Sequence, residues 1–343
     1  MSLPPPRPAR EEPAPRALPY EALVEAGEPV VLRGACAAWP MVDAARRSDA
    51  DALAYLRRFD AGRPVVCYRT APDVAGRYFY DETVTALNFA AAREPLTAVL
   101  DEIEAALGDR SAPTLYVGST DLAGFLPGFR EDNPLDLSAP TFQHADPLVS
   151  LWFGGRTVAS AHFDMSNNAA VCVAGRRRFT LFPPDQASNL YPGPLEPTPG
   201  GQVVSMVDFR APDLSRFPRF ETAWAHAVVA ELEPGDMLVY PALWWHHVEG
   251  LADFNALVNV WWNRVPAHHD TPWTTLLHGL LSLRDRPPAE KEAWRALFDH
   301  YVFGEADRAG AHLPEAARGA LASPLPPAQA RRLRRQLIEK LNR

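Results

Sequence analysis

Ten histidines are spread through the 343-residue chain, and three of them stand two residues before an aspartate: His144-Ala-Asp146, His162-Phe-Asp164 and His268-His-Asp270. His247 precedes Glu249 at the same spacing. Residues two apart on a β-strand point to one side, so such a pair brings an imidazole and a carboxylate to the same face. Joined by a second imidazole, they form the set that holds non-haem iron on one side and leaves the other open to a co-substrate and O2. With 42 acidic residues in the chain, chance alone supplies about one such pair, so the surroundings must choose. His144 sits between Pro140 and Pro147, and His268 follows Pro266, where strand-like texture has ended. His162 and Asp164 stand among strand-like runs. The remaining imidazole is then offered by PALWWHHVEG, where His246 and His247 point to opposite faces of a strand and one of them can face inward.

The elements that must position these side chains are legible in the texture. Between Thr114 and Trp262, the runs TLYVG, LVSLWFGG, AAVCVAG, RRFTLFPP, DMLVYP and ALVNVWWN are short, apolar or alternating, and separated by Gly, Pro and Asp. Strands punctuated this way predict an antiparallel sandwich or barrel. Ala174-Gly175 reads as a hairpin turn, and Glu233-Pro-Gly-Asp236 as a second tight turn feeding a strand. Upstream, PVVLRG (Pro29 to Gly34) has the form of a buried strand, and apolar spacings of three and four predict helices over 50–58 and 96–107. The proline-rich stretch 190–219 reads as an ordered but irregular lid.

Helical texture returns after Pro266, ending in AQARRLRRQLIEKLNR, where Leu333, Leu337 and Leu341 share one face. Such a helix suits packing on its own domain or on a second subunit, and a homodimer is the expectation. Residues 1–16, rich in Pro, Arg and Glu, are expected to be an unstructured lead-in, followed by a catalytic domain over 17–265 and a helical section over 266–343. The net charge of −8 disfavours a nucleic-acid partner. Cys36, Cys67 and Cys172 are far apart and form no CxxC pair, so they read as buried small hydrophobes. The first sixteen residues hold no apolar signal-peptide core, and no apolar run is long enough to span a membrane, so a cytoplasmic location is expected.

Two longer words carry a resemblance. AHFDMSNNAAVCVAGRRRFTLFPPDQ (Ala161 to Gln186) and EPGDMLVYPALWWHHVEG (Glu233 to Gly250) are similar to the cupin-type JmjC hydroxylases, the group that includes the asparaginyl hydroxylase inhibiting hypoxia-inducible factor. PVVLRG with Trp39-Pro40, GRYFYDE and TLYVG extend the likeness over about 20–265. The resemblance implies a double-stranded β-helix (jelly-roll, cupin) core with N-terminal α/β elements and C-terminal helices, the last used by relatives for dimerisation. It implies Fe(II) as cofactor, held by His162, Asp164 and His246, with 2-oxoglutarate and O2 as co-substrates. Asn168 and Asn259 match asparagines lining the co-substrate pocket, and Tyr116 matches a tyrosine reaching the distal carboxylate of 2-oxoglutarate. Where relatives carry a lysine for that carboxylate this chain has Arg177, whose guanidinium can grip a carboxylate through two parallel hydrogen bonds. Where some carry a threonine it has Ala159, one donor fewer.

The activity implied is hydroxylation of a C–H bond, with a peptide or protein side chain as the expected substrate and a small molecule as an alternative. N-demethylation, tRNA-nucleoside hydroxylation and a non-catalytic ligand-binding cupin are the competing readings.

Overall fold

Eight strands build the centre: β1 (Leu148–Gly154), β2 (Val158–Phe163), β3 (Asn167–Ala174), β4 (Arg177–Phe182), β5 (Val228–Leu232), β6 (Met237–Tyr240), β7 (Trp245–Gly250) and β8 (Asn255–Trp262). The structure is a computed structural model describing residues 3–15, 17–143 and 146–342, so His144 of the first His-x-Asp pair lies outside the described residues. The strands pair antiparallel in two layers, ordered β5-β4-β7-β2 and β6-β3-β8-β1. This is the expected double-stranded β-helix. Gly175 turns β3 into β4 at φ +68°, where a Cβ would fall 2.2 Å from the Phe254 carbonyl oxygen, so the hairpin needs glycine. The Glu233–Asp236 turn closes through Asp236 N–H to the Glu233 carbonyl at 3.0 Å.

Strand β3 is buried on both faces, and its residues divide by parity. Ala170 and Cys172 face the sandwich interior with Phe179, Val248 and Leu257. Ala169, Val171 and Val173 face a second core beneath N-terminal helices. That is why AAVCVAG is a continuous apolar run and not an alternating one. Two of those helices, Asp49–Arg57 and Leu96–Ala105, correspond to the two expected. The first is capped by Ser48, whose hydroxyl accepts from Asp51 N–H at 3.0 Å. The second turns Leu96, Val99, Leu100 and Ile103 inward, the spacing of one helix face.

Flanking strands widen both sheets. Arg10–Pro13 and Val30–Arg33 lie outside β6, while Thr114–Asp121, Pro64–Thr70 and Phe89–Pro95 continue the same sheet beyond β1. Arg7–Pro8 lies outside β5, and Arg77–Tyr78 outside β2.

The expectation of an unstructured lead-in over 1–16 therefore does not hold for residues 7–13. Arg7–Pro8 pairs parallel to β5 and Arg10–Pro13 parallel to Val30–Arg33, with Ala9 buried between them. The segment gains order through backbone pairing and ions more than apolar burial: Arg33 bridges Glu11 at 2.5 Å and Asp236 at 2.6 Å. Its prolines are tolerated because an edge strand needs no donor on its open side.

Internal packing divides the chain into two units, 1–264 and 265–343. The second consists of helices Pro272–Ser282, Pro288–Phe298 and Pro327–Leu341 with short helical turns. It carries exposed Leu276, Leu281, Trp294, Tyr301 and Phe303. Within it, His268 contacts the Leu325 carbonyl at 2.9 Å. No described helix is long and apolar enough to cross a membrane.

Candidate metal centre and acid-binding cavity

Period-two alternation on six strands aims one set of side chains between the layers: Arg177 and Phe179 on β4, His246 and Val248 on β7, Asn259 and Trp261 on β8, with Trp152, His162 and Tyr240 on β1, β2 and β6. His246 and His162 are direct cross-strand partners on β7 and β2. The register then slips, so that Val248 faces Ala159, three residues before His162. This irregularity turns both Ala159 and His162 toward the cavity.

His162 and His246 have ring centroids 4.3 Å apart, and His246 Nε2 lies 3.5 Å from Asp164 Oδ2. One ligand atom from each of the three lies within 4.8 Å of the others. Each ring is held from behind: Nδ1 of His162 faces the Ser160 carbonyl at 2.9 Å, and Nδ1 of His246 faces the Trp244 carbonyl at 3.0 Å. A carbonyl can only accept, so Nδ1 carries the proton and Nε2 presents a lone pair, as a metal-binding imidazole requires. Burial, and then the neighbouring His162, lower the His246 pKa to about 4 against the opposing pull of Asp164. The Trp261 indole N–H is shared between Asn168 Oδ1 and Asp164 Oδ2, the latter at 3.2 Å, and steadies the carboxylate. Two imidazoles and one oriented carboxylate on one side of an opening suit a divalent metal with free positions opposite.

The other end of the cavity is cationic. Arg177 is 3% exposed and hydrogen-bonds the Tyr116 side chain, and no ion pair is formed with it among the described residues. One terminal nitrogen donates to the Trp152 carbonyl at 3.3 Å, and Nε has no partner. Burial pushes the Tyr116 phenol up to about 12, although the Arg177 guanidinium beside it pulls the other way. Trp152 Nε1 and Asn259 Oδ1 are also buried without partners, and both residues line this cavity. A buried cation with two unmet donors beside it, its own Nε and the Trp152 indole N–H, fits a small anion.

The sequence-derived set is thus largely brought together: His162, Asp164 and His246 at one end, Tyr116 and Arg177 at the other, and Asn259 on the wall. Asn168 is placed differently. Its oxygen accepts from Asn259 Nδ2 at 3.0 Å and from Trp261 Nε1, and its Nδ2 donates to the Ser166 carbonyl, so it anchors its neighbours from behind the wall. His247 faces away, stacked on Phe209 at 4.6 Å and 3.1 Å from Glu249. Trp261 and Tyr240 were missed from sequence. Trp261 had a signal, standing two residues past Asn259 on the same face. Tyr240, 5.0 Å from the His246 ring, owes its place to pairing opposite Asn168, which no local pattern reveals.

Toward solvent the cavity widens into a space of about 400 Å³ walled by Tyr68, Phe89, Tyr116 and Trp261, with the segment 198–202 along its rim. That segment belongs to the irregular stretch 190–219, which holds one isolated bridge, Pro192 to Ser205.

Residues 15–268 match the model of the cupin-like domain. The chain belongs to the cupin-like domain family. Among curated proteins, it is 38% identical over 114 residues to HSPB1-associated protein 1 of Homo sapiens, covering 33% of this chain and 23% of that protein. It is 32% identical over 134 residues to tRNA wybutosine-synthesizing protein 5 of Danio rerio, covering 39% and 36%. It is 31% identical over 144 residues to Lysine-specific demethylase JMJ31 of Arabidopsis thaliana, covering 40% and 26%. The matched stretch spans well under half the length of each relative. These likenesses agree with the JmjC-type resemblance of the two sequence words.

Proposed function

We propose that the chain is an Fe(II)- and 2-oxoglutarate-dependent dioxygenase that hydroxylates a C–H bond on a peptide or protein side chain. One observation carries this reading: a fully buried Arg177 guanidinium without an acid partner faces, through one cavity, two imidazoles and a carboxylate preset for a metal. On β4 Arg177 lies four residues from Leu181, the cross-strand partner of His246, a strand distance of about 13 Å. The inward-reaching arginine and histidine side chains occupy part of that backbone separation, and a five-carbon diacid would bridge the remainder between guanidinium and metal.

In this reading His162, Asp164 and His246 hold the iron, and the metal with 2-oxoglutarate and O2 supplies the oxidising chemistry when bound. The protein's own contribution is orientation. Arg177 and Tyr116 fix the distal carboxylate, with charge-assisted hydrogen bonds in a dry site. Asn259, held by Asn168, lines the wall, and Trp261 steadies Asp164. Trp152, Phe179 and Tyr240 exclude water, and no side chain is needed as a general base. Demethylation uses the same site when the attacked carbon is an N-methyl group, and the likeness to a protein named as a demethylase keeps it as the second reading. The exposed apolar side chains of the C-terminal unit support a homodimer formed through that unit.

The test is calorimetric titration of 2-oxoglutarate into protein loaded with Mn(II), a redox-silent stand-in. Saturable 1:1 binding that is lost in the His162→Ala/Asp164→Ala variant is expected. Binding of neither metal nor diacid would overturn the proposal.

A further inference from the structure

We infer that the free edge of the strand Phe89–Pro95 is a docking rail on which an extended peptide substrate adds as a further strand beside the cavity mouth. The inference rests on the oxygenase reading for its assay.

The two sheets have four edges, and three are guarded. Arg7–Pro8 and Arg77–Tyr78 are two residues long. Arg10–Pro13 is short, charged and ends in proline. Short strands, charges and prolines are the usual protection against unwanted pairing. Phe89–Pro95 differs: it is seven residues long, pairs on one side only, and is uncharged from Phe89 to Ala92. Ala90 to Arg93 are exposed.

The prolines reveal which backbone groups are free. Pro64 and Pro95 face each other across this antiparallel pair, and neither has an N–H, so theirs is a non-hydrogen-bonded position. Alternation then gives the ladder bonds to residues 90, 92 and 94 and turns the N–H and C=O of Phe89, Ala91 and Arg93 outward. Phe89 and Ala91 also direct their side chains to the cavity mouth. Ala91, Tyr68 and Tyr116 form one cross-strand row running from the open edge to the tyrosine beside Arg177. The docking edge and the reactive cavity are therefore continuous.

The chemistry of the mouth chooses among occupants. Its described lining contains no Lys or Arg, and Asp164 is its one carboxylate, so it offers nothing to a phosphate backbone. An alternating row of outward N–H and C=O groups flanked by small alanines recognises a peptide main chain, leaving specificity to alternate side chains.

The experiment presents the full Fe(II)-loaded chain with 2-oxoglutarate and a pool of random-sequence dodecapeptides, and reads oxygen insertion by mass spectrometry. Peptides turned over are then remade with single backbone N-methyl groups. Strand addition predicts that methylation at alternate amides raises KM about three- to tenfold, the worth of one lost hydrogen bond, while the amides between are silent. Ala91→Pro, which removes an outward N–H and spares the ladder, should raise peptide KM by a similar factor and leave 2-oxoglutarate affinity unchanged. Peptide saturation should also slow amide hydrogen exchange at Phe89, Ala91 and Arg93. Turnover insensitive to both changes overturns the rail and leaves the oxygenase reading standing. Turnover of tRNA or free amino acids with no peptide product overturns the peptide occupant. Concentration-dependent self-pairing through this edge, with no exchange protection by peptide, assigns the edge to a second copy and overturns the proposal. Absence of 2-oxoglutarate binding in the unmodified chain sinks the underlying reading instead.

Discussion

Replacing Arg177 by methionine should move stability and affinity in opposite directions. In the unliganded protein the guanidinium is buried with Nε unbonded and no ion-pair partner among the described residues, so its charge is poorly compensated. An apolar side chain of similar length removes that cost, and the metal-free protein should be stabilised by about 1–3 kcal/mol. Toward a bound diacid the sign reverses. Truncating one partner of a buried, hydrogen-bonded charge pair costs about 2–5 kcal/mol, equivalent to a Kd for 2-oxoglutarate weakened roughly 30- to 4,000-fold. Urea unfolding of the apo protein and calorimetric titration of the Mn(II)-loaded protein measure the two effects separately. Arg177→Lys should fall between, keeping the charge but losing the fork. A destabilised Arg177→Met with unchanged diacid affinity would refute the reasoning and make Arg177 a structural group.

Further outcomes follow from the same geometry. Trp261→Phe keeps an aromatic side chain but removes the N–H shared by Asp164 and Asn168, so Mn(II) affinity measured by electron paramagnetic resonance should drop about tenfold or more. His246 titrates near 4 in the folded protein against about 6.5 unfolded, so between these values the unfolded chain binds the extra proton. Its contribution to apo stability is complete above pH 6.5 and is lost as pH falls toward 4. Unfolding midpoints across this window should decline less steeply in His246→Gln. If the proposed homodimer forms through the C-terminal unit, Leu281→Glu with Phe303→Glu, at side chains 78% and 75% exposed, should yield a monomer in analytical ultracentrifugation where the unmodified chain is a dimer.

What could be read from sequence was what local pattern specifies. The β3–β4 hairpin, its glycine and the strand that carries His162, with Asp164 just past its end, are written in neighbouring residues, and the two helices follow from apolar spacing. Pairing across distant strands is not written that way. Tyr240 reaches the cavity because its strand registers against Asn168, and Asn168 withdraws from the wall because Trp261 and Asn259 claim its oxygen. The strand Phe89–Pro95 escaped notice because FAAAREP has neither alternation nor β-branched residues, and exposed alanines suggest helix more than sheet. The lead-in at 7–13 was misjudged because composition reports on burial and is silent about main-chain pairing.

The central claim is tested most directly by succinate. Protein loaded anaerobically with Fe(II) and 2-oxoglutarate, then exposed to O2, should release succinate above the level of the His162→Ala/Asp164→Ala variant, and faster once a substrate peptide is present. Tight binding of both iron and 2-oxoglutarate with no succinate above that variant, with or without the peptide pool, would contradict the account.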